Sequence, residues 1–473
     1  MKPKIFLVLI FFIFTQLSFA QIMFQRHYGG TSDDYGCRVL QTDDGGYLIA
    51  AITTSYGAGG WDIYLIKINE FGDTLWTKTY GGTGDEQPNA LKITSDNNYI
   101  IAGRSSSFGN GNYDAYLLKI NSSGDTLWTK TYGGVQGENA YDVIQTSDEG
   151  FLLIGRTSSY THGYNSVYAI KTNSSGDTLW TKTYEKEIMN SGISAFQLSD
   201  GGFFFCGETE NTTLNIADCY FIRTNSQGDT LWTKTFGGND FDGAFQCYDA
   251  GDGIIISGTT ISYGAGMYDI FLSKFDYNGN NVWLKTYGGV YDDYGGHFSA
   301  TDDGGYIITG YTESYGYGAQ DMYLIKTNSN GDTLWTKPFG KNGDDWAGDV
   351  KQTLDLGYII IGHSNSFGNG YDVYLIKTDQ SGVSGFGEIN NYNNPLKIFP
   401  NPSNGLFQVQ LPEPDEDAAS LQIFNGQGQQ VFCKDISDDV HNTLTIDLTG
   451  FSKGLYLIYY SGKETRTERV IIE

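Results

Sequence analysis

The sequence predicts an all-β chain: a seven-bladed β-propeller of four-stranded blades, the last closed by an N-terminal strand, followed by a small immunoglobulin-like β-sandwich. Three observations predict it. Tryptophan recurs at Trp76, Trp128, Trp180, Trp232, Trp283 and Trp335, at spacings of 52, 52, 52, 51 and 52 residues. Each period holds four strand-like runs separated by glycine-rich turns. The array opens on an orphan copy of the tryptophan strand and ends one strand short.

The first segment, residues 1–20, reads as a secretory signal peptide. Met-Lys-Pro-Lys precedes an apolar run from Ile5 to Phe14, and Ser18 and Ala20 stand at −3 and −1 of a cut before Gln21. The run is shorter than the roughly 20 residues a spanning helix needs, and no later stretch is apolar enough to cross a bilayer. No cysteine near the cut suggests a lipid anchor.

Residues 21–380 carry the repeat. In the first period the runs are Cys37–Thr42, Tyr47–Thr54, Asp62–Asn69 and Thr74–Tyr80. Asp-Asp-Gly-Gly at 43–46 joins the first two as a tight turn. Asn-Glu-Phe-Gly-Asp at 69–73 joins the last two, its glycine suited to a residue of positive φ. The third run, Asp-Ile-Tyr-Leu-Ile-Lys, is apolar on both faces, as a strand sandwiched between neighbouring blades requires. Asp-Thr-Leu-Trp-Thr-Lys occurs five times, from 73, 125, 177, 229 and 332. The six tryptophans are expected to be structural, filling space between blades. Counting back 52 residues from Trp76 reaches Phe24, so Ile22–Tyr28 is expected to supply the fourth strand of the last blade, beside Asp372–Asp379. That leaves no open sheet edge.

Four-stranded geometry sends two long loops per blade to one face. The loop before each first strand carries an acid: Asp34, Glu86, Glu138, Asp242, Asp293 and Asp345, with Asn190 in the fourth period. Two readings stand: a ring able to hold Ca²⁺ or a cationic ligand, or acids that cap their own turns. The loop after each second strand carries Tyr56, Phe108, Tyr160, Tyr263, Tyr315 and Phe367, rings suited either to stacking on sugars or to packing on the next blade. The fourth period also replaces Gly-Gly by Glu185-Lys186, which makes a unique site or marks drift.

Composition narrows the function. A net charge of −26 repels phosphate backbones, which argues against nucleic acid and suits cations, neutral glycans or basic proteins. Cys37, Cys206, Cys219, Cys247 and Cys433 show neither disulfide-framework nor metal spacing. Only Cys206 and Cys219, flanking one hairpin, are placed to pair, or else are two buried thiols. His27, His162, His297, His363 and His441 lack metal spacing, and no nucleophile elbow or phosphate loop is present.

After the array, residues 381–394 read as a Gly/Ser/Asn-rich linker. Residues 395–473 alternate as a small β-sandwich of about seven strands. Phe399-Pro400-Asn401-Pro402 with Gly405, Gly428-Gln429 with Val431, Leu448 through Tyr456, and the apolar end after Arg469 follow in order. This pattern closely resembles the type A C-terminal sorting domain of type IX secretion. The resemblance implies Gram-negative origin, partnership with the type IX machinery, and a product released or attached to the outer-membrane surface. The propeller hairpin Asn-x-x-Gly-Asp-Thr-Leu-Trp resembles the docking hairpin of quinoprotein-type propellers, and the array resembles tandem-repeat propellers of secreted bacterial proteins. Both imply fold more than function. The expected function is a non-enzymatic binding or adhesion module whose loop face meets a polysaccharide or a surface protein. No cofactor is expected apart from Ca²⁺. The alternative is a glycan hydrolase or lyase whose site assembles from distant loops.

Overall fold

The computed structural model describes residues 22–473 apart from 163, 187–188, 212–215, 369, 385–395, 412–419, 426–429, 437–442 and 462–464. The signal peptide, most of the linker, and Gly428-Gln429 of the sorting pattern lie outside the described residues. The chain forms two compact units, one spanning Ile22–Gly387 and the other reaching from Glu388 to Glu473.

The first unit is seven four-stranded antiparallel sheets, six of them built from consecutive strands. The first blade is Asp34–Gln41, Tyr47–Thr53, Asp62–Ile68 and Thr74–Tyr80. The seventh takes Asp345–Gln352, Tyr358–Ser364 and Asp372–Thr378 from the end of the array, and its fourth strand is Phe24–Tyr28. Phe24 lies opposite Lys377 and Tyr28 opposite Val373. The ring is therefore closed by hydrogen bonds between its two ends.

The third strands are buried on both faces: every residue of Asp62–Ile68, Asp114–Ile120 and Asp321–Thr327 is buried. Their aliphatic and tyrosine side chains build the clusters between blades, as where Ile63 and Leu65 of one blade meet Leu118 and Ile120 of the next.

The first strands differ from expectation. They begin three residues early, at Asp34 rather than Cys37, because the acid is itself the first paired residue, opposite Thr53. A β-bulge follows, between Gly36 and Arg38. Six of the seven blades carry that bulge after the third residue and one, the fourth, after Gly192.

The repeated motif works as a latch between blades. Asn121 Oδ1 accepts from the N–H groups of Ser123 and Asp125, closing the turn. Gly124 sits at φ +79°, and a Cβ on it would stand 2.9 Å from the Trp76 ring of the preceding blade. Lys78 donates to Asp125 at 2.7 Å, and Tyr80 Oη donates to the Gly124 carbonyl. Tryptophan, lysine and tyrosine of one outer strand thus grip the next blade's turn. The six tryptophans are half-buried rather than enclosed. Gly176 repeats the geometry at φ +78°, with Trp128 3.0 Å from a Cβ. Gly176→Ala is expected to lower stability by about 2 kcal/mol, from left-handed backbone strain plus displacement of the ring. Urea denaturation of the variant measures it.

Cys206 and Cys219 are free, buried thiols. Register explains why they do not meet: Cys206 lies opposite Phe221, and Cys219 opposite Glu208.

In the second unit, Lys397–Phe399, Leu406–Gln410 and Thr443–Asp447 form one sheet. Gln430–Asp435, Ser420–Phe424, Gly454–Ser461 and Thr465–Ile472 form another. Alternate residues such as Phe407, Val409, Leu421, Ile423, Ile458 and Val470 make its core.

Candidate functional site: the loop face and the channel mouth

All six predicted acids are buried, none more than 1 % exposed. One oxygen of each is taken up by the loop itself, while Oδ1 of Asp34, Asp293 and Asp345 is buried without a hydrogen-bond partner. Asp34 Oδ2 accepts from the Gly30 N–H at 2.8 Å and from Ser55 Oγ at 2.7 Å. Asp293 repeats this with Gly289 and Ser314, each at 2.7 Å, and Asp345 with Lys341 and Ser366. Glu86, Glu138 and Asp242 accept from Gly82, Gly134 and Gly238. The carboxylates hold the loops in place and do not face solvent.

A second acidic series opens the third strands: Asp62, Asp114, Asp218, Asp269, Asp321 and Asp372. Asp321 Oδ2 accepts from the N–H groups of Tyr317 and Gly318. Each of these acids meets the first series across a glycine. A Cβ on Gly81 would lie 1.9 Å from Asp62 Oδ1 and 2.5 Å from Glu86 Oε2, so only glycine fits there. The sequence reading noted these aspartates as part of a strand motif and missed their role. A regular spacing of 24 residues between the two series was the available signal.

The fourth period shows that the pairs act as units. Ser166 and Asn190 replace both acids, and Glu185 replaces the intervening glycine. Ser166 Oγ donates to Glu185 Oε1 at 2.7 Å. One carboxylate stands in for two, so the three changes compensate one another. Among the described residues no three or more His, Cys, Asp or Glu side chains come together to hold a metal ion.

Like charges in a desolvated gap disfavour double ionisation. Burial, then the neighbouring Asp34 and Asp33, push the Asp372 carboxyl up to about 6. Burial and Asp242 raise Asp218, and burial raises Asp345 with Asp321 contributing. A carboxyl whose folded-state pKa is raised favours folding most at low pH and loses that contribution as pH rises. For Asp372 the window runs from about 4, its unfolded value, to about 6. Asp372→Asn is expected to make stability less dependent on pH across that window and higher at pH 7 relative to wild type. Thermal melts at pH 4, 5, 6 and 7 read both.

The aromatic series lies over these loops. Tyr56, Phe108, Tyr160 and Tyr315 are 45 %, 43 %, 47 % and 46 % exposed, whereas Tyr263 and Phe367 are half-buried. Each tyrosine hydroxyl is tied down: Tyr56 donates to the Gly29 carbonyl at 2.8 Å, and Tyr160, Tyr263 and Tyr315 to Gly133, Gly237 and Gly288. Five of the six rings pack on third-strand aromatics, as Tyr56 on Tyr64 with centroids 5.3 Å apart, and Tyr263 stacks on Phe236 of the preceding outer strand. Held at the edge and open on one side, they form a pre-set apolar fringe around the face.

The channel departs from the repeat. The residues just after the bulges face one another around the axis: Arg38, Ala90, Asp142, Ser194, Gln246, His297 and Asp349. No two adjacent blades carry the same residue there. They line a cavity of about 230 Å³ with Lys92, Tyr141, Tyr248 and Lys351. Lys351 pairs with Asp349 at 2.6 Å and Lys92 with Asp142 at 3.6 Å, while Arg38 donates to the carbonyls of Cys37 and Gly348. Burial and the surrounding cations hold His297 well below its ordinary pKa. Sequence reasoning passed over this ring because it followed what repeats. The signal was variation at one strand position within an otherwise uniform array.

Residues 397–473 match the family described as "Secretion system C-terminal sorting domain". The chain therefore carries a type IX sorting tail, which directs it out of the cell as a secreted or surface-attached protein. Over 315 residues it is 21 % identical to the regulatory protein FlaEY of Caulobacter vibrioides, covering 56 % of this chain and 31 % of that protein. The chain thus spans about a third of the length of that curated relative. Among solved structures, Drosophila Plexin A in complex with Semaphorin 1b is similar at TM-score 0.45 and 8 % identity, over 76 % of this chain and 88 % of that one. Puromycin hydrolase is similar at TM-score 0.49 and 12 % identity, over 80 % and 59 %. Likenesses this distant carry no argument about function.

Proposed function

We propose that the propeller is a non-enzymatic binding module, carried out of the cell by its sorting tail, that meets a polymeric extracellular ligand with its loop face. The observation that carries this reading is the fringe of half-exposed, edge-anchored rings repeated around one axis. A polymer able to touch several of them gains affinity through multivalency from contacts that are individually weak. Immobile aromatic rings lose little conformational freedom on binding. The opposite face supports the choice by contrast. Its turns are closed by asparagine and aspartate side chains, and its lysines and aspartates are engaged with one another. The secreted protein is expected to be retained on at least one polysaccharide of an immobilised panel, assayed with and without Ca²⁺, and to release no soluble sugar from it. Release of oligosaccharides from the retaining polymer would instead assign a glycan-active enzyme.

A further inference from the structure

Basic residues on the third and outer strands of this acidic propeller are paired by a rule, and two arginines on second strands are not. On the third strands Lys67, Lys119, Lys171, Lys326 and Lys377 each pair with an aspartate of their own blade's turn. On the outer strands Lys78, Lys130, Lys182 and Lys285 pair with the next blade's turn. Arg104 and Arg156 do neither. They occupy the loop-face ends of second strands, paired across the sheet with Gln87 and Asn139 of the first strands that ring the channel. Both are half-buried, and neither makes an ion pair among the described residues. Arg104 lies over the Tyr113 ring at 4.5 Å with its Nε buried and without a hydrogen-bond partner. A guanidinium left in this state is a donor set waiting for an acceptor, and its planar fork matches a carboxylate or sulfate.

The other side of the same mouth is aromatic. At the equivalent positions of the sixth and seventh blades stand Tyr294, Tyr311, Trp346 and His363. Tyr294 stacks on Tyr311 with centroids 5.7 Å apart and planes at 20°, and Tyr311 stacks on Trp346 at 5.4 Å and 19°. Trp346 is 39 % exposed, and its Nε1–H is fixed by Gln320 Oε1. None of this repeats in the second and third blades, where the arginines stand. The mouth is two-sided: a ladder of rings faces two guanidinium groups that make no ion pair among the described residues, with Glu208 beside them, its carboxyl raised by burial and by Glu210 and lowered by the charge of Arg156.

We infer that the channel mouth on the loop face is the recognition site for an acidic sugar chain, its rings stacking on the exposed Trp346 at the end of the ladder and its carboxylate or sulfate groups accepting hydrogen bonds from Arg104 and Arg156. This rests on the reading of the propeller as a binding module and names its ligand class. A neutral glycan would leave the guanidinium groups unmatched, and an acidic peptide would leave the ring ladder without flat apolar faces to cover.

The test is calorimetric titration of the secreted protein with oligogalacturonates of four to six units, and with neutral galacto-oligosaccharides of the same length. The acidic series is expected to bind at least about tenfold more tightly. Arg104→Gln with Arg156→Gln should erase that preference, the double lysine variant should recover part of it, and Trp346→Ala should weaken both series. A sulfated galactan arm separates carboxylate from sulfate as the preferred anion. Equal binding of neutral and acidic chains, or an arginine variant indistinguishable from wild type, overturns the inference while leaving a binding module in place. Failure to bind any sugar, here and across the polysaccharide panel, overturns both. Far-ultraviolet circular dichroism confirms that each variant is folded.

Discussion

Deleting Ile22–Gly30 is expected to remove most of the propeller's stability, a loss of about 5 kcal/mol or more and of the order of the whole folding free energy of a typical domain. The segment is small, but it holds both ends of the ring. Phe24 is 4 % exposed and packs among Ile66, Ile68 and Leu375, and losing a phenylalanine from such a site costs about 3–5 kcal/mol by itself. Tyr28 donates to the Gly72 carbonyl at 2.8 Å, so the latch onto the first blade goes with it. Gln25 accepts from Tyr374 Oη at 2.6 Å and donates to Ser384 at 2.7 Å. Without the segment, Asp372–Thr378 becomes a bare hydrophobic edge. Urea denaturation followed by tryptophan fluorescence should show an early, broadened transition. A circular permutant carrying the same segment after Ser384 should restore the transition, because it keeps the strand and changes only its connection. A deletion variant within 1 kcal/mol of wild type would show that the ring does not depend on this closure.

Removing Pro395–Glu473 has the largest expected effect in the cell. The sorting tail and the propeller form separate compact units with separate cores, so the truncated propeller should fold with its melting temperature nearly unchanged. It should accumulate in the periplasm of its native host and be absent from the medium and the surface. Fractionation with an antibody against the propeller measures this. Normal external amounts of the truncated chain would mean that residues 397–473 are not what sorts it.

Much of this was legible in the sequence because the fold repeats its solution to the same problem. A tryptophan every 52 residues, a glycine that must take positive φ, and an acid that must cap a loop are each dictated by local geometry, so they return in every blade. Closure by Phe24–Tyr28 was legible for a related reason: an unpaired strand at one end and a missing one at the other must meet. What was not legible followed from side-chain direction. Asp34 reads as a loop acid from its neighbours, and only pairing with Thr53 buries it at the head of a strand. Asp62 and Glu86 belong to different blades, and only the 24-residue spacing repeated along the array signals that they face each other across Gly81. The channel mouth was hidden for the opposite reason, since Arg104, Arg156, Tyr311 and His363 hold one structural position yet change chemistry between blades.

Which face of the propeller binds is measured most directly by comparing variants of the two faces against the polysaccharide that retains the protein. One variant removes Tyr56, Tyr160 and Tyr315 as alanines, and the other converts Asp125, Asp177 and Asp332 to asparagine on the turn face. The first is expected to lose about tenfold or more in affinity and the second to change by less than about twofold. Loss of binding in the turn-face variant, with the tyrosine variant unaffected, would contradict the loop-face assignment.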